Sequence, residues 1–368
     1  MKVLFISNSI GGLRNFRYEL IEKLRERGDD IYILSPLESS SDCFKQLGCN
    51  IIHLPLSRSG LNPFVELRSI YRCYKSIKSI KPNVVLAYTI KPNIYGSIVC
   101  RWLNIPIIAN VTGLGKALEG GGPIAIISRY LYKFGFKKTD FVYFQNNESL
   151  DFFKKNNIHS KEMGLISGSG VNLKKFEYSE YPSSCNGLNF LYIGRILREK
   201  GIQEYLDCAK YMSEKYSNLH FHIVGIKDDA KYSNMVDEYH NKGLITFYGA
   251  QSDVRPYIQQ VHCLIHPSFY PEGMSNVLLE SAAMGRPAIT TDKSGCVEIV
   301  EDNVTGYIVQ QCSSNDLIDK VMKFVRLPHD KKVHMGLMAR KKVEMQFDRE
   351  MVVKEYMQKI DILTGINN

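Results

Sequence analysis

The sequence predicts an α/β protein built from two successive parallel-sheet units, and three observations carry that prediction. Short apolar runs rich in β-formers alternate with helix-period segments along the chain. The alternation breaks once, over residues 167–187, a stretch rich in Gly, Ser and Pro. It then restarts with the same grammar. Apolar strands alternating with amphipathic helices are the pattern of βαβ units, with helices on both faces of a parallel sheet. A length of 368 residues suits two domains better than one.

The elements follow in order. Residues 2–7 (KVLFIS) are the first strand. A Gly11-Gly12 loop follows, and then a helix over 15–27 with Phe16, Leu20, Ile21 and Leu24 on one face, closed by Gly28. Strands are expected at 31–35, 51–55, 84–88, 106–110 and 141–145, with helices over 64–80, 93–103 and 124–138. Beyond the break, strands fall at 188–194, 219–225, 245–249, 263–268, 287–291 and 306–309. Helices fall at 201–215, 231–241, 253–260 and 275–284, and closing helices reach about residue 365. The domain reading is therefore 1–168, a linker over 169–187, 188–350, and a C-terminal helix and tail over 351–368. An open parallel sheet takes ligands beyond the carboxyl ends of its strands. Two such sheets facing each other would hold a substrate in the cleft between them.

Composition narrows the function classes. Hydrophobic residues make up 44% and charged residues 23%, ordinary for a globular protein. The nine cysteines are scattered, with no C-x-x-C pair, so reduced thiols are expected and not a disulfide framework. The apolar run Val3–Ile6 is too short for a signal peptide, and no stretch is long enough to span a membrane. A cytoplasmic protein is expected, peripheral on the inner face of the cytoplasmic membrane. The net charge of +9 is unevenly placed. Residues 1–168 carry 23 basic and 13 acidic groups, whereas the rest of the chain is nearly neutral. Such asymmetry points to an anionic partner surface on the first unit. No RNP, zinc or helix-turn-helix signature supports nucleic acid as that partner.

Three segments carry chemistry. Gly11 and Gly12 lie between a strand and a helix, where backbone N–H groups can approach a phosphate. The spacing is not G-x-G-x-x-G, which argues against a dinucleotide oxidoreductase. The second is GRILREKG (194–201), between the first strand and first helix of the second unit. Arg195 and Lys200 there could neutralise a diphosphate, Arg as a fork and Lys as a point charge. The third is HPSFYPEGMSNVLLE (266–280). Glu272 precedes a helix and Glu280 lies about a turn and a half into it. Ser275 and Asn276 are cap candidates at its start, where the first N–H groups of the helix are free. The amides suit a phosphate and the carboxylates suit sugar hydroxyls.

The last segment, continued as SAAMGRPAITTD, resembles the E-x7-E segment of retaining GT-B glycosyltransferases of family 4. GRILREKG resembles the donor-phosphate motif of that family. TIKPNIYG (89–96), VTGLG (111–115) and SGSGVNLKKF (167–176) look like segments of its bacterial polysaccharide and lipid-linked-oligosaccharide members. The resemblance covers almost the whole chain. It implies a GT-B fold, two Rossmann-like domains facing across a cleft, with a C-terminal helix returning to the N-terminal domain. It implies that Arg195 and Lys200 bind the donor diphosphate, that Glu280 holds the nucleotide ribose, and that Glu272 is catalytic, meeting the donor-sugar hydroxyls. Amides of Ser275, Asn276 and Val277 would meet the distal phosphate, and Gly11 and Gly12 would close over the donor. No metal and no other cofactor is implied, because Arg, Lys and helix-dipole charge stabilise the leaving diphosphate. The implied reaction moves a hexose or N-acetylhexosamine, with retention, from a nucleotide sugar with UDP as the nucleotide. The acceptor would be polyprenyl-diphosphate-linked or another glycan.

The chain departs from the family in three places. No His stands in VTGLG, the GVD of many relatives is Gly170-Val171-Asn172, and the GCRE of close relatives is Gly295-Cys296-Val297-Glu298. No general base is identified. Residues 128–138 (SRYLYKFGFKK) and the run Arg68, Arg72, Lys75, Lys78 and Lys81 suit an anionic membrane interface. Rival readings are a non-catalytic sugar-nucleotide-binding protein and a GT-B-fold epimerase; UDP release with a lipid-linked acceptor separates the first from a transferase.

Overall fold

The computed structural model describes residues 1–56, 63–120 and 122–366. It divides into two compact units, Met1–Ser169 with Glu350–Asn368, and Gly170–Arg349.

The first unit runs β1 (Lys2–Ile6), α1 (Ile10–Glu26), β2 (Asp30–Ser35), α2 (Asp42–Gln46), β3 (Asn50–His53), α3 (Pro63–Ile80) and β4 (Val84–Tyr88). It continues with α4 (Ile90–Leu103), β5 (Ile107–Val111), α5 (Gly115–Glu119), α6 (Pro123–Phe136), β6 (Phe141–Phe144), α7 (Asn147–Lys155) and β7 (Glu162–Leu165). Its seven strands are parallel in the order β3-β2-β1-β4-β5-β6-β7. Side chains alternate across the sheet. Val3 and Phe5 enter the core beneath α1, whereas Leu4 and Ile6 enter the opposite core. Burial on both faces explains the near-continuous apolar runs in the sequence.

The second unit runs β8 (Leu188–Ile193), α8 (Ile202–Lys215), β9 (Leu219–Val224), α9 (Ala230–Asn241), β10 (Thr246–Phe247), α10 (Arg255–Gln259) and β11 (Cys263–His266). Then come α11 (Asn276–Ala283), β12 (Ala288–Thr291), β13 (Gly306–Val309), α12 (Ser314–Arg326) and α13 (His329–Gln346), before α14 (Arg349–Thr364) returns to the first unit. The six strands are parallel in the order β10-β9-β8-β11-β12-β13. Both sheets reverse strand order beside their first strand, which opens a crevice at the carboxyl ends.

Three expectations change. α1 begins at Ile10, not near Asn15, because Ser9 is extended and its hydroxyl accepts the Gly12 N–H. The edge strand β7 was not anticipated; its sequence, EMGL, is short and half-polar. Residues 170–187 do not hang free. Val171 and Phe176 enter the second core, the Tyr181 hydroxyl donates to His262 O at 2.7 Å, and buried Arg286 donates to the carbonyls of Ser179 and Glu180, both at 2.9 Å. Extended packing leaves no periodicity to read. All nine cysteines are free thiols. Among the described residues no helix is long and apolar enough to cross a membrane.

α14 is bound into the first unit. Val352, Tyr356 and Ile360 join the core under α1. The buried Arg17 guanidinium lies 5.0 Å from the Tyr88 ring and 5.3 Å from the Tyr356 ring. Asn110 Nδ2 donates to the Tyr356 hydroxyl at 2.5 Å. Tyr356→Phe leaves that buried amide unpaired and should cost about 1–2 kcal/mol; Tyr356→Ala should cost about 3–5 kcal/mol. Urea unfolding of the full chain measures both, and unchanged midpoints would mean that α14 does not stabilise the first unit.

Candidate functional site

Loops from three strands converge at the carboxyl end of the second sheet, beside the β8/β11 reversal. Each expected residue of that unit is placed by one of them.

The first loop follows β8. The Arg195 carbonyl accepts from the Tyr192 hydroxyl at 2.9 Å, and the Ile196 N–H donates to Ile226 O at 2.8 Å. A tight 3-10 turn over Arg198–Lys200 ends at Gly201, whose φ of 74° starts α8. A Cβ at Gly201 would lie 2.0 Å from Pro267 O, so only glycine lets the second loop come this close. The Phe269 N–H donates to Glu199 O at 2.9 Å and stitches the two loops together.

That contact buries Lys200 to 8% exposure. Its ammonium pairs with Glu272 of the second loop. Burial, together with the Arg195 charge, lowers the lysine toward about 8. The Tyr270 ring lies 5.1 Å from Lys200 and 5.3 Å from the Arg195 guanidinium. Arg195 is exposed and pairs with Asp228 at 3.0 Å. Arg198, between them in sequence, is drawn away by Glu204 in a two-pronged pair at 2.8 and 2.7 Å.

α11 starts at the end of the second loop. Ser275 occupies its N-cap position, yet its hydroxyl does not cap. The hydroxyl pairs with His266 Nε2 at 3.1 Å instead, and the Ser275 N–H donates to Gly295 O at 2.9 Å. The Ser275 amide is therefore engaged, which corrects the expectation that it is free. Among the described residues the N–H groups of Asn276 and Val277 have no partner. His266 was not singled out in the sequence. It is buried at the end of β11, and desolvation holds it near 3, a neutral ring that fixes Ser275. Its position at the strand end, before Pro267, was the available signal.

The third loop follows β12. Glu298 accepts from the Ser294 hydroxyl at 2.8 Å and the Gly295 N–H at 2.6 Å. It thereby shapes the turn that receives Ser275, with Val297 beside it in sequence where close relatives carry a basic residue. Glu280 is half-buried in α11, and its carboxylate has no hydrogen-bond partner among the described residues. Burial raises its carboxyl to about 7, against the pull of Lys175 and Arg349.

Gly11 and Gly12 belong to the first unit and differ from expectation. They form the first turn of α1, not a loop. The Gly11 N–H donates to Glu38 Oε2 at 2.9 Å, and the Gly12 N–H to Ser9 Oγ at 3.2 Å. The amides expected to meet a phosphate are held by the protein's own carboxylate and hydroxyl. Thr89, at the start of α4 in the TIKPNIYG segment, has φ of 75° and a buried hydroxyl without a partner among the described residues. A β-branched residue in that region is strained.

Glu280 makes stability depend on pH. Its folded value lies above the unfolded 4.5, so its contribution is intact below pH 4.5 and is lost as pH rises through 7. Glu280→Gln removes that loss. The variant should match wild type near pH 4 and exceed it by on the order of 1–3 kcal/mol at pH 8. Urea unfolding at both values tests this; a constant difference across the range would place the titration elsewhere.

Residues 181–342 match the family described as glycosyl transferases group 1, and residues 2–146 match glycosyl transferase 4-like proteins. The chain is 27% identical, over 98% of both sequences, to the N,N'-diacetylbacillosaminyl-diphospho-undecaprenol alpha-1,3-N-acetylgalactosaminyltransferase of Campylobacter jejuni. A glycosyltransferase structure from Rickettsia africae matches with a TM-score of 0.83 at 18% identity, covering 100% of this chain and 99% of that one. Anabaena HepE in complex with UDP and glucose matches with a TM-score of 0.81 at 15% identity, covering 98% and 99%. Its two Rossmann-like units and these matches make the chain a GT-B glycosyltransferase of the group 1, family-4-like kind.

Proposed function

We propose that this glycosyltransferase moves a hexose or N-acetylhexosamine from a UDP-sugar to a polyprenyl-diphosphate-linked acceptor, with retention of anomeric configuration. The observation that carries the donor site is the gathering of Arg195 and the Lys200–Glu272 pair at the strand-order reversal, in the second unit that also presents the free amides of α11. Arg195 and Lys200 take the diphosphate, and the Asn276 and Val277 amides take its distal phosphate. Glu280 accepts from the ribose hydroxyls and Glu272 from the sugar hydroxyls. In the transfer the bond from the anomeric carbon to the diphosphate oxygen breaks. The bond to the acceptor oxygen forms on the same face, and the leaving oxygen takes the acceptor proton. These cations and amides supply the charge that stabilises the departing diphosphate. The Campylobacter relative is named for a diphospho-undecaprenol acceptor, and the Anabaena structure holds UDP and glucose, which supports both halves of the assignment.

A lipid-linked acceptor requires contact with a membrane surface. α3 and α6 both pack on α4, on one face of the first sheet. α6 exposes Ile124, Ile127, Leu131 and Phe134, and α3 exposes Phe64, Leu67 and Tyr71. Exposed Lys133, Lys137 and Lys138 on or after α6, and Arg68, Arg72 and Lys75 on α3, surround them. Apolar side chains ringed by cations suit the headgroup boundary of an anionic bilayer, here the inner face of the cytoplasmic membrane.

A thermal-shift screen over nucleotide sugars should single out a UDP-sugar, and saturation at 100 times Kd adds about 2.7 kcal/mol. Glu280→Ala should weaken that donor by roughly tenfold or more while the chain remains folded. Unchanged affinity would remove Glu280 from the site, and no shift with any nucleotide sugar would remove the donor assignment. Proton NMR of the freshly formed linkage should show the donor's own anomeric configuration; the opposite one would exclude retention. Sedimentation with anionic vesicles should fall steeply as salt rises, and salt-independent or absent binding would refute docking.

A further inference from the structure

α6 carries more than a charged face. Ile126, Arg129, Tyr130 and Lys133 stand at the spacing that puts them on one side of a helix. With Asn156, just past the end of α7, they line a cavity of about 260 Å³. That is smaller than the ~300–1,000 Å³ of sites that enclose a whole drug-sized ligand. Among the described residues no carboxylate lines it.

Arg129 is held in place. Its Nη2 donates to Leu118 O at 3.2 Å, and its guanidinium lies 5.3 Å from the Phe152 ring. Its Nε is buried and has no hydrogen-bond partner among the described residues. One turn on, Lys133 is exposed and makes no ion pair among the described residues. A fixed guanidinium fork beside a mobile ammonium is a combination suited to phosphate oxygens. Exposed Ile126 and Tyr130 form the rest of the wall, and Ile127 and Leu131 flank it. A ligand that brings one phosphate together with an apolar body fits that surface, whereas a free anion leaves the apolar wall uncovered.

We propose that this cavity binds the headgroup phosphate of an anionic phospholipid, so that the first unit recognises a lipid phosphate in addition to bulk surface charge. The inference rests on the membrane-docking reading and deepens it.

The test compares vesicles of digalactosyldiacylglycerol, a carrier without phosphate, holding equal mole fractions of phosphatidylglycerol or of oleate, an anionic lipid without phosphate, at a pH where the oleate is ionised. The full-length protein should prefer the phosphatidylglycerol vesicles. Lys137→Gln, outside the cavity, should lower binding to both by about fivefold, the general contribution of one cation near an anionic surface. Lys133→Gln should lower binding to oleate vesicles by a similar factor and to phosphatidylglycerol vesicles by roughly tenfold or more, as for a lost charge-assisted hydrogen bond. Arg129→Gln should repeat that pattern. Lys133 makes no contact the fold needs, so its variant keeps the test valid if Arg129→Gln fails to fold. Inorganic phosphate at matched ionic strength should leave the preference intact. Its loss would assign the cavity to a soluble anion and overturn the lipid assignment. Equal binding to both vesicles, or Lys133→Gln behaving like Lys137→Gln, would overturn the cavity site and leave membrane docking standing. No binding to either anionic vesicle would overturn both.

Discussion

The second unit's crevice depends on one costly placement, the Lys200 ammonium away from water. A buried charge without a partner costs several kcal/mol. Glu272 supplies the partner, but only because two loops touch. Gly201 lets Pro267 O approach, and the Glu199 carbonyl takes the Phe269 N–H. GRILREKG and HPSFYPEG are thus one structural device split across sequence. The same contact stands Tyr270 against both Arg195 and Lys200 and sets the path into α11.

Three cations within six residues are given different fates by their neighbours. Arg198 is fixed by Glu204, a buried carboxylate, and serves the fold. Lys200 is fixed by burial. Arg195 lies beside the Tyr270 ring, and its ion pair among the described residues is the exposed one with Asp228, worth ~0–1 kcal/mol in water. A pair that weak would yield to the proposed diphosphate, whose paired oxygens match the guanidinium fork. Glu280 shows the complementary logic. Its raised pKa means that the fold tolerates its carboxylate poorly without a partner. A group of hydroxyl donors placed against it would relieve that cost.

Much of this was legible in the sequence, and the misses have physical causes. Strands buried on both faces give apolar runs that cannot be mistaken, so twelve of the expected strands lie where they were read. The E-x7-E spacing placed Glu272 before a helix and Glu280 within it. What escaped depends on partners distant in sequence. Gly11 and Gly12 read as a loop because glycine disfavours helix; the Ser9 cap and the Glu38 carboxylate, which stabilise that turn, are not deducible from local pattern. Ser275 read as a cap, yet His266 competes successfully for its hydroxyl. The strap over 170–187 read as a linker because extended packing carries no period.

The Glu38 contact also bears on how the two units divide their labour. An anion at the start of α1 is favoured by the orphan amides and the helix dipole together. In the first unit that place is filled by Glu38, against the Gly11 N–H. A donor phosphate could reach those amides only by displacing a carboxylate with the same charge preference, which cancels much of the gain. The α11 amides of Asn276 and Val277 face no such competitor among the described residues. The proposed phosphate site therefore uses the helix start of the second unit, whose overall charge is nearly neutral. About half of the surplus positive charge of residues 1–168 lies on α3 and α6, beside exposed apolar side chains. Charge set in that company is poorly placed for a small soluble donor and well placed for a surface that is both anionic and greasy.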